Sequence, residues 1–74
     1  MDRPKFFEGK ALRQIFEDID RFGLQPRHTG TQSNEWGEDQ WELYEWEHPE
    51  IRGLQSCYDR RTTSQMFYSW AYPA

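Results

Sequence analysis

Apolar residues between positions 7 and 22 recur at spacings of three and four, the repeat that places side chains along one face of a helix. The stripe consists of Phe7, Ala11, Leu12, Ile15, Phe16, Ile19 and Phe22. Pro4 suits a first helical turn, whereas Gly9 is unfavourable inside a helix, so the helix begins near one or the other. Gly23 can take the left-handed conformation that ends a helix, with Leu24 folding back onto the last turn. The pattern therefore predicts an amphipathic helix that ends at Phe22.

Residues 25–34 show no apolar periodicity. They read Gln-Pro-Arg-His-Thr-Gly-Thr-Gln-Ser-Asn and are mostly turn formers. We predict a connecting loop for this segment. Loops of this length in a small domain are often functional or mobile.

Residues 35–50 form the most acidic and most aromatic segment, with seven carboxylates, three tryptophans and no Lys or Arg. The enrichment in Trp and Tyr favours a strand. Its alternation is imperfect, because Trp41 and Leu43 share one face whereas Tyr44 and Trp46 share the other. A bulge near Leu43 and Tyr44 would turn all four side chains inward. A helix over residues 38–47 is the alternative, but these apolar positions do not gather into one helical stripe.

Two further strands follow a turn at residues 48–53. Residues 54–59 place Leu54, Ser56 and Tyr58 on one face. Residues 65–72 alternate cleanly, and their apolar row is Met66, Tyr68, Trp70 and Tyr72. A connection of three or five residues would put both rows on the same side of the sheet, and we choose that odd length because one helix covers only one apolar face.

These elements define the predicted fold class. We expect a single α+β domain over residues 1–74, with one N-terminal amphipathic helix packed on a three-stranded antiparallel sheet in an αβββ meander. Trp41, Tyr68 and Trp70 would form the core beneath the helix. The chain has 74 residues, of which 18% are aromatic, and this aromatic content argues against disorder.

The cysteine content limits the protein class. Cys57 is the sole cysteine, so a disulfide-stapled secreted scaffold is excluded and a reducing compartment is expected. The sequence has no apolar run as long as a signal peptide or a membrane span. We therefore expect a cytoplasmic protein, in the host cytoplasm if it is encoded by a phage, that does not bind membranes.

Little in the sequence points to catalysis. A cysteine nucleophile needs a neighbouring base, and His28 or His48 would have to reach Cys57 through the fold. The nearest metal-like cluster, Glu47, His48 and Glu50, matches no zinc spacing. Gly9-Lys10-Ala11 lacks the remainder of a phosphate-binding loop. The carboxylates Glu42, Glu45 and Glu47 would need a concave pocket to act in hydrolysis. We expect no enzymatic activity, no cofactor and no metal.

The uneven charge suggests a binding function. The chain carries a net charge of −4, and the acidic residues concentrate in positions 35–50. Such a surface attracts basic protein surfaces and repels nucleic acid. We predict a stoichiometric inhibitor or adaptor that occludes the basic nucleic-acid site of a larger protein or ribonucleoprotein, in effect as a nucleic-acid mimic. The predicted contact residues are Trp36, Glu38, Asp39, Glu42, Glu45, Trp46 and Glu47.

Three alternatives remain open at this point. In the first, the acidic face serves solubility only. In the second, Phe67, Tyr68 and Trp70 stack the bases of a single-stranded nucleic acid. In the third, an edge strand joins the chain to a second copy, or to a larger assembly as an accessory subunit. In size and charge alone, the chain resembles the small inhibitors that bacteriophages make against host machines, including anti-CRISPR proteins and RNA polymerase inhibitors.

Overall fold

The computed structural model describes residues 3–72 and contains one helix and five strands. In chain order the elements are β1 (Lys5–Phe6), α1 (Gly9–Phe22), β2 (Pro26–Ser33), β3 (Asp39–Trp46), β4 (Leu54–Asp59) and β5 (Ser64–Ser69). The strands form one sheet in the order β1-β5-β4-β3-β2, and every neighbouring pair is antiparallel. Since β1 and β2 lie at opposite edges, α1 crosses one face of the sheet between them.

The prediction of a three-stranded sheet is wrong, although the fold is α+β. The segment predicted as a loop after the helix is β2, which pairs along its length with β3. Its side chains are mostly exposed, so it shows no apolar alternation. Pro26 is tolerated because it is the first residue of an edge strand. The second added strand, β1, is only two residues long, too short to produce a sequence pattern.

The helix and its end are confirmed. α1 begins at Gly9, and the preceding residues Lys5 and Phe6 are extended. Gly23 has a φ of 64°, and its N–H donates to the carbonyl oxygen of Ile19. The N–H of Leu24 donates to the same oxygen at 3.0 Å. This left-handed cap directs the chain from α1 into β2.

The strand predicted in the acidic segment is confirmed as β3, but the bulge near Leu43 and Tyr44 is wrong. Both residues pair without interruption with β4. The irregularities lie in the pairing with β2 instead, between His28 and Gly30 and near the start of β3. Trp41 and Leu43 therefore lie on the face opposite α1, because successive side chains of a regular strand alternate.

The choice of an odd connection between β4 and β5 is also wrong. Asp59 pairs with Ser64, leaving a turn of residues 60–63. The Asp59 carboxylate accepts from the N–H groups of Arg61 and Thr62, which stabilises this even-length turn. As a result Phe67 lies beside Ser56 under the helix, and the row containing Met66 and Tyr68 lies on the opposite face.

The core lies between α1 and the centre of the sheet. Ile15, Leu54 and Phe67 are each only 1% exposed, and Trp46 packs against them. The ring of Phe16 meets Phe67 edge-on at 5.4 Å between centroids. Trp70, which was predicted in the core, is 59% exposed. The sheet thus has one face that α1 partly covers, and an outer face that α1 does not touch.

Candidate functional site

The β2–β3 hairpin presents Trp36 to solvent. The side chain is 70% exposed, although the turn that carries it is well ordered. Asn34 Oδ1 accepts from the N–H groups of Trp36 and Glu38, each at 3.0 Å. The N–H of Asn34 donates to the carbonyl oxygen of Glu38 at 2.9 Å, and Gly37 supplies a φ of 79°. The hairpin therefore fixes the backbone position from which a large aromatic side chain extends into solvent.

The seven predicted contact residues do not form one surface. Trp36, Glu38 and Asp39 lie together at the hairpin tip, which Glu35 extends. Arg61 lies beside this tip and lines a shallow depression with Glu38 and Asp39. The other four predicted residues are Glu42, Glu45, Trp46 and Glu47, which lie farther along or beyond β3. The structure therefore brings together only the part of the predicted site nearest Trp36.

Glu42 points to the helix side of the sheet and is already paired. His28 Nε2 lies 2.6 Å from its Oε1, Thr31 donates to the same oxygen, and Arg60 lies 3.8 Å from its Oε2. The hydrogen bonds from His28 and Thr31, with the charge of Arg60, lower the pKa of Glu42. Its negative charge is therefore largely engaged within the protein.

The two remaining carboxylates lie elsewhere. Glu45 points to the outer face, where it forms an ion pair with Arg27. Glu47 follows β3 at the end of the sheet away from the hairpin tip and lines a shallow depression with Arg27 and Glu45. Trp46 is part of the packing around the core. Neither carboxylate continues the acidic cluster around Trp36.

An open groove lies on the helix side of the sheet, where α1 leaves β3 and β4 uncovered. It has a volume of about 370 Å³. Its lining consists of Pro26, Tyr44, Trp46, Tyr58 and Gln65. Trp46 Nε1 and Gln65 Nε2 both donate to Ser56 Oγ, at 2.9 and 3.1 Å. The buried Ser56 hydroxyl therefore holds two of the lining side chains in place.

The outer face carries an apolar band that the sequence analysis placed partly in the core. Its members are Phe6, Trp41, Leu43, Cys57, Met66 and Tyr68. Phe6 and Met66 are each about half exposed, at 48% and 53%, and the Phe6 ring lies 5.7 Å from that of Tyr68. Burial, with the nearby charge of Asp59, raises the pKa of the Cys57 thiol. Such a thiol is a poor nucleophile at neutral pH.

Asp18 and His48 form a buried pair that the sequence analysis did not identify. Asp18 lies on α1, and His48 follows β3. His48 Nδ1 accepts from the N–H groups of Glu50 and Ile51, so the ring proton lies on Nε2. Nε2 donates to Asp18 Oδ2 at 2.8 Å. Both imidazole nitrogens are therefore occupied, and the fully buried ring joins α1 to the β3–β4 connection.

Acid should weaken the fold through Asp18. Hydrogen bonds from Gln14 and His48, with the charge of Arg21, lower the pKa of Asp18 in the folded protein. Its ionisation therefore stabilises the fold above the unfolded-state pKa of about 3.9, and this stabilisation is lost as pH falls through the folded pKa. We expect the thermal unfolding temperature of the wild type to fall more steeply than that of Asp18→Asn between about pH 5 and about pH 3.

Thermal unfolding followed by circular dichroism measures both slopes. Asp20→Asn is the matched control, because Asp20 is an exposed carboxylate on the same helix. It should keep the wild-type slope. A slope in Asp18→Asn equal to that of the wild type would contradict this role for Asp18.

Comparison with known proteins adds no functional assignment. No protein-family model matches the chain, and no significant similarity to a curated protein or a solved structure was found. Within residues 3–72, no three His, Cys, Asp or Glu side chains are grouped closely enough to hold a metal ion. The single helix of this region is too short and too polar to cross a membrane.

Base stacking on single-stranded nucleic acid and assembly through an edge strand stay predictions. Of the proposed base-stacking residues, Phe67 is buried, Tyr68 lies on the outer face and Trp70 follows β5. For an edge-strand dimer, β2 offers the longer edge. Pro26 and the bulge near Thr29 are features that usually hinder edge pairing.

Proposed function

We propose that this protein is a small protein-binding module that docks the tip of its β2–β3 hairpin onto a basic surface of a larger partner. The observation that carries the proposal is the exposed Trp36 side chain on an ordered turn among carboxylates. Tryptophan dominates many protein interfaces when it enters a pocket on the partner. Because the Asn34 hydrogen bonds already order the turn, little conformational entropy is lost on docking.

The charge around Trp36 indicates the chemistry of the partner. Glu35, Glu38 and Asp39 flank the tryptophan along the chain, and Arg61 lines a depression with Glu38 and Asp39. The net negative charge attracts a partner surface rich in Lys or Arg and speeds association at low ionic strength. Glu42 and Glu45 contribute less, because Arg60 lies beside Glu42 and Arg27 forms an ion pair with Glu45.

A basic surface of this kind often binds nucleic acid. Docking the hairpin there would exclude nucleic acid by occupying the same site. We therefore propose stoichiometric inhibition of a nucleic-acid-binding protein or ribonucleoprotein, without a chemical step. The tryptophan supplies the anchor, and the carboxylates supply the electrostatic match.

Affinity capture from a lysate of the organism that encodes the chain tests this proposal. We expect Trp36→Ala to reduce capture of the partner by at least about tenfold, because a hot-spot tryptophan typically contributes about 2 kcal/mol or more, and about 1.4 kcal/mol is already tenfold. The double variant Glu38→Lys/Asp39→Lys should also reduce capture. In the wild type, capture should decline as salt concentration rises.

Trp70→Ala is the matched control, since Trp70 is similarly exposed but lies outside the hairpin. It should capture the partner as the wild type does. Equal loss in the Trp36 and Trp70 variants, or no loss in either, would contradict the proposal. Occlusion is tested separately with the purified partner, which should lose its nucleic acid as one equivalent of this protein is added.

A further inference from the structure

We infer that the groove on the helix side of the sheet binds a proline-rich segment of another protein in the polyproline II conformation. This site is separate from the hairpin tip and does not depend on the function proposed for Trp36. Its volume, about 370 Å³, lies within the range of ligand sites. The groove is open rather than enclosed, which suits an extended chain better than a small molecule.

The lining has the chemistry that recognises proline. The rings of Tyr44, Trp46 and Tyr58 and the ring of Pro26 supply flat apolar contacts. Proline-rich segments bind grooves lined with aromatic side chains because their backbone is already extended and loses little entropy. His28 packs edge-on against Tyr44 at 5.4 Å, which supports that ring from the side.

The groove also offers hydrogen-bond donors to a peptide backbone. Proline has a carbonyl acceptor and no N–H, so its binding site must donate. The hydrogen bonds within the groove run from Trp46 and Gln65 to Ser56. Among residues 3–72, these bonds do not involve the hydroxyls of Tyr44 and Tyr58, which are therefore available for peptide carbonyls. The tyrosines lie on adjacent strands, so a single segment can reach both.

The charge of the groove favours a neutral peptide over nucleic acid. On the helix side, the side chains of β2 to β5 include one carboxylate, Glu42, and it is balanced by Arg60 and His28. Both side chains are engaged by Glu42, so they are poorly placed to bind a phosphate backbone. A proline-rich segment carries no charge that needs a partner.

Titration of the isotope-labelled protein with decaproline, followed by NMR, tests the inference. We expect saturable shifts at the amides of Tyr44 and Tyr58 and none from a Gly/Ser peptide of equal length. Tyr44→Phe and Tyr58→Phe keep the rings and remove the donors, and each should weaken binding on the order of three- to tenfold. Tyr68→Phe is the matched control on the outer face and should bind as the wild type does.

Several results would overturn the inference. They are the absence of saturable shifts at millimolar decaproline, shifts centred on Trp41 and Met66 instead, and equal weakening by Tyr68→Phe. Tighter binding of a short single-stranded oligonucleotide in the groove would also overturn it. Trp36→Ala should leave decaproline binding unchanged, so failure of this site and failure of the hairpin site are distinguishable.

Discussion

Replacing His48 with alanine is expected to lower the free energy of unfolding by about 3 kcal/mol or more, because each hydrogen-bonding group left without its partner inside the fold costs about 1 to 3 kcal/mol. The imidazole is fully buried and makes three hydrogen bonds, one to Asp18 and two to the N–H groups of Glu50 and Ile51. Alanine leaves all three groups without their partner. It also removes the edge-on contact between the imidazole and Phe22, whose ring centroids lie 5.9 Å apart.

Urea unfolding followed by tryptophan fluorescence measures this effect. A domain of this size has a total stability on the order of 4 to 11 kcal/mol, so the His48 variant should lose a large fraction of it and unfold at a much lower urea concentration than the wild type. His28→Ala is the matched control, because that histidine also contacts a carboxylate but is exposed. Its cost should stay below about 1 kcal/mol. Similar losses in the free energy of unfolding in His48→Ala and His28→Ala would contradict the prediction that the buried histidine contributes more to stability than the exposed one.

Phe67→Ala is expected to destabilise the fold by about 3 to 5 kcal/mol, whereas Met66→Ala should change stability by no more than about 1 kcal/mol. Phe67 is 1% exposed and Met66 is 53% exposed, because they point to opposite faces of β5. Removing the Phe67 ring opens a cavity beside Ile15, Leu54 and Trp46. Met66 loses only contacts on the outer face.

The pair of variants tests the register of β4 and β5 directly. The odd connection expected from the sequence would bury Met66 and expose Phe67, so it predicts the opposite order of effects. Phe67→Leu supplies a milder version of the same change if the alanine variant does not fold. A larger loss from Met66→Ala than from Phe67→Leu would contradict the observed register.

The sequence predicts the elements that have a strong local signal. The helix and the glycine that ends it depend on neighbouring residues only, and both are confirmed, although Phe7 of the predicted stripe precedes α1. β3, β4 and most of β5 are likewise recognisable from their composition and alternation. β2 is not, because an exposed edge strand needs no apolar face and its stability comes from pairing with β3. Its Pro and Gly residues resemble a loop for the same reason.

The faces of the strands could not be predicted because they depend on single-residue details. One residue in the β4–β5 turn decides whether Phe67 or Met66 is buried. The position of the irregular pairing decides whether Trp41 or Tyr44 faces α1. The groove could not be predicted either, because Tyr44, Tyr58 and Pro26 meet only once both faces are assigned.

The sequence alone could distinguish only some of the exposed residues of the predicted binding site from those that are paired within the protein. Trp36 stands between turn-forming residues, and its exposure agrees with that position. Glu42 and Glu45 appear identical to Glu38 in a charge count, yet they pair with His28 and Arg27 from a strand that the sequence did not reveal. Asp18 gives no signal, because a carboxylate among the polar positions of a helix normally faces water.

The place of β1 in the sheet has a consequence for the order of folding. β2 to β5 follow one another in sequence and in space, so their pairings close short loops and can form early. β1 pairs with β5 across nearly the whole chain and contributes two residue pairs. We therefore expect this pairing to form last in folding and to open first. The amide hydrogens that β1 protects should exchange with solvent well before those between β3 and β4.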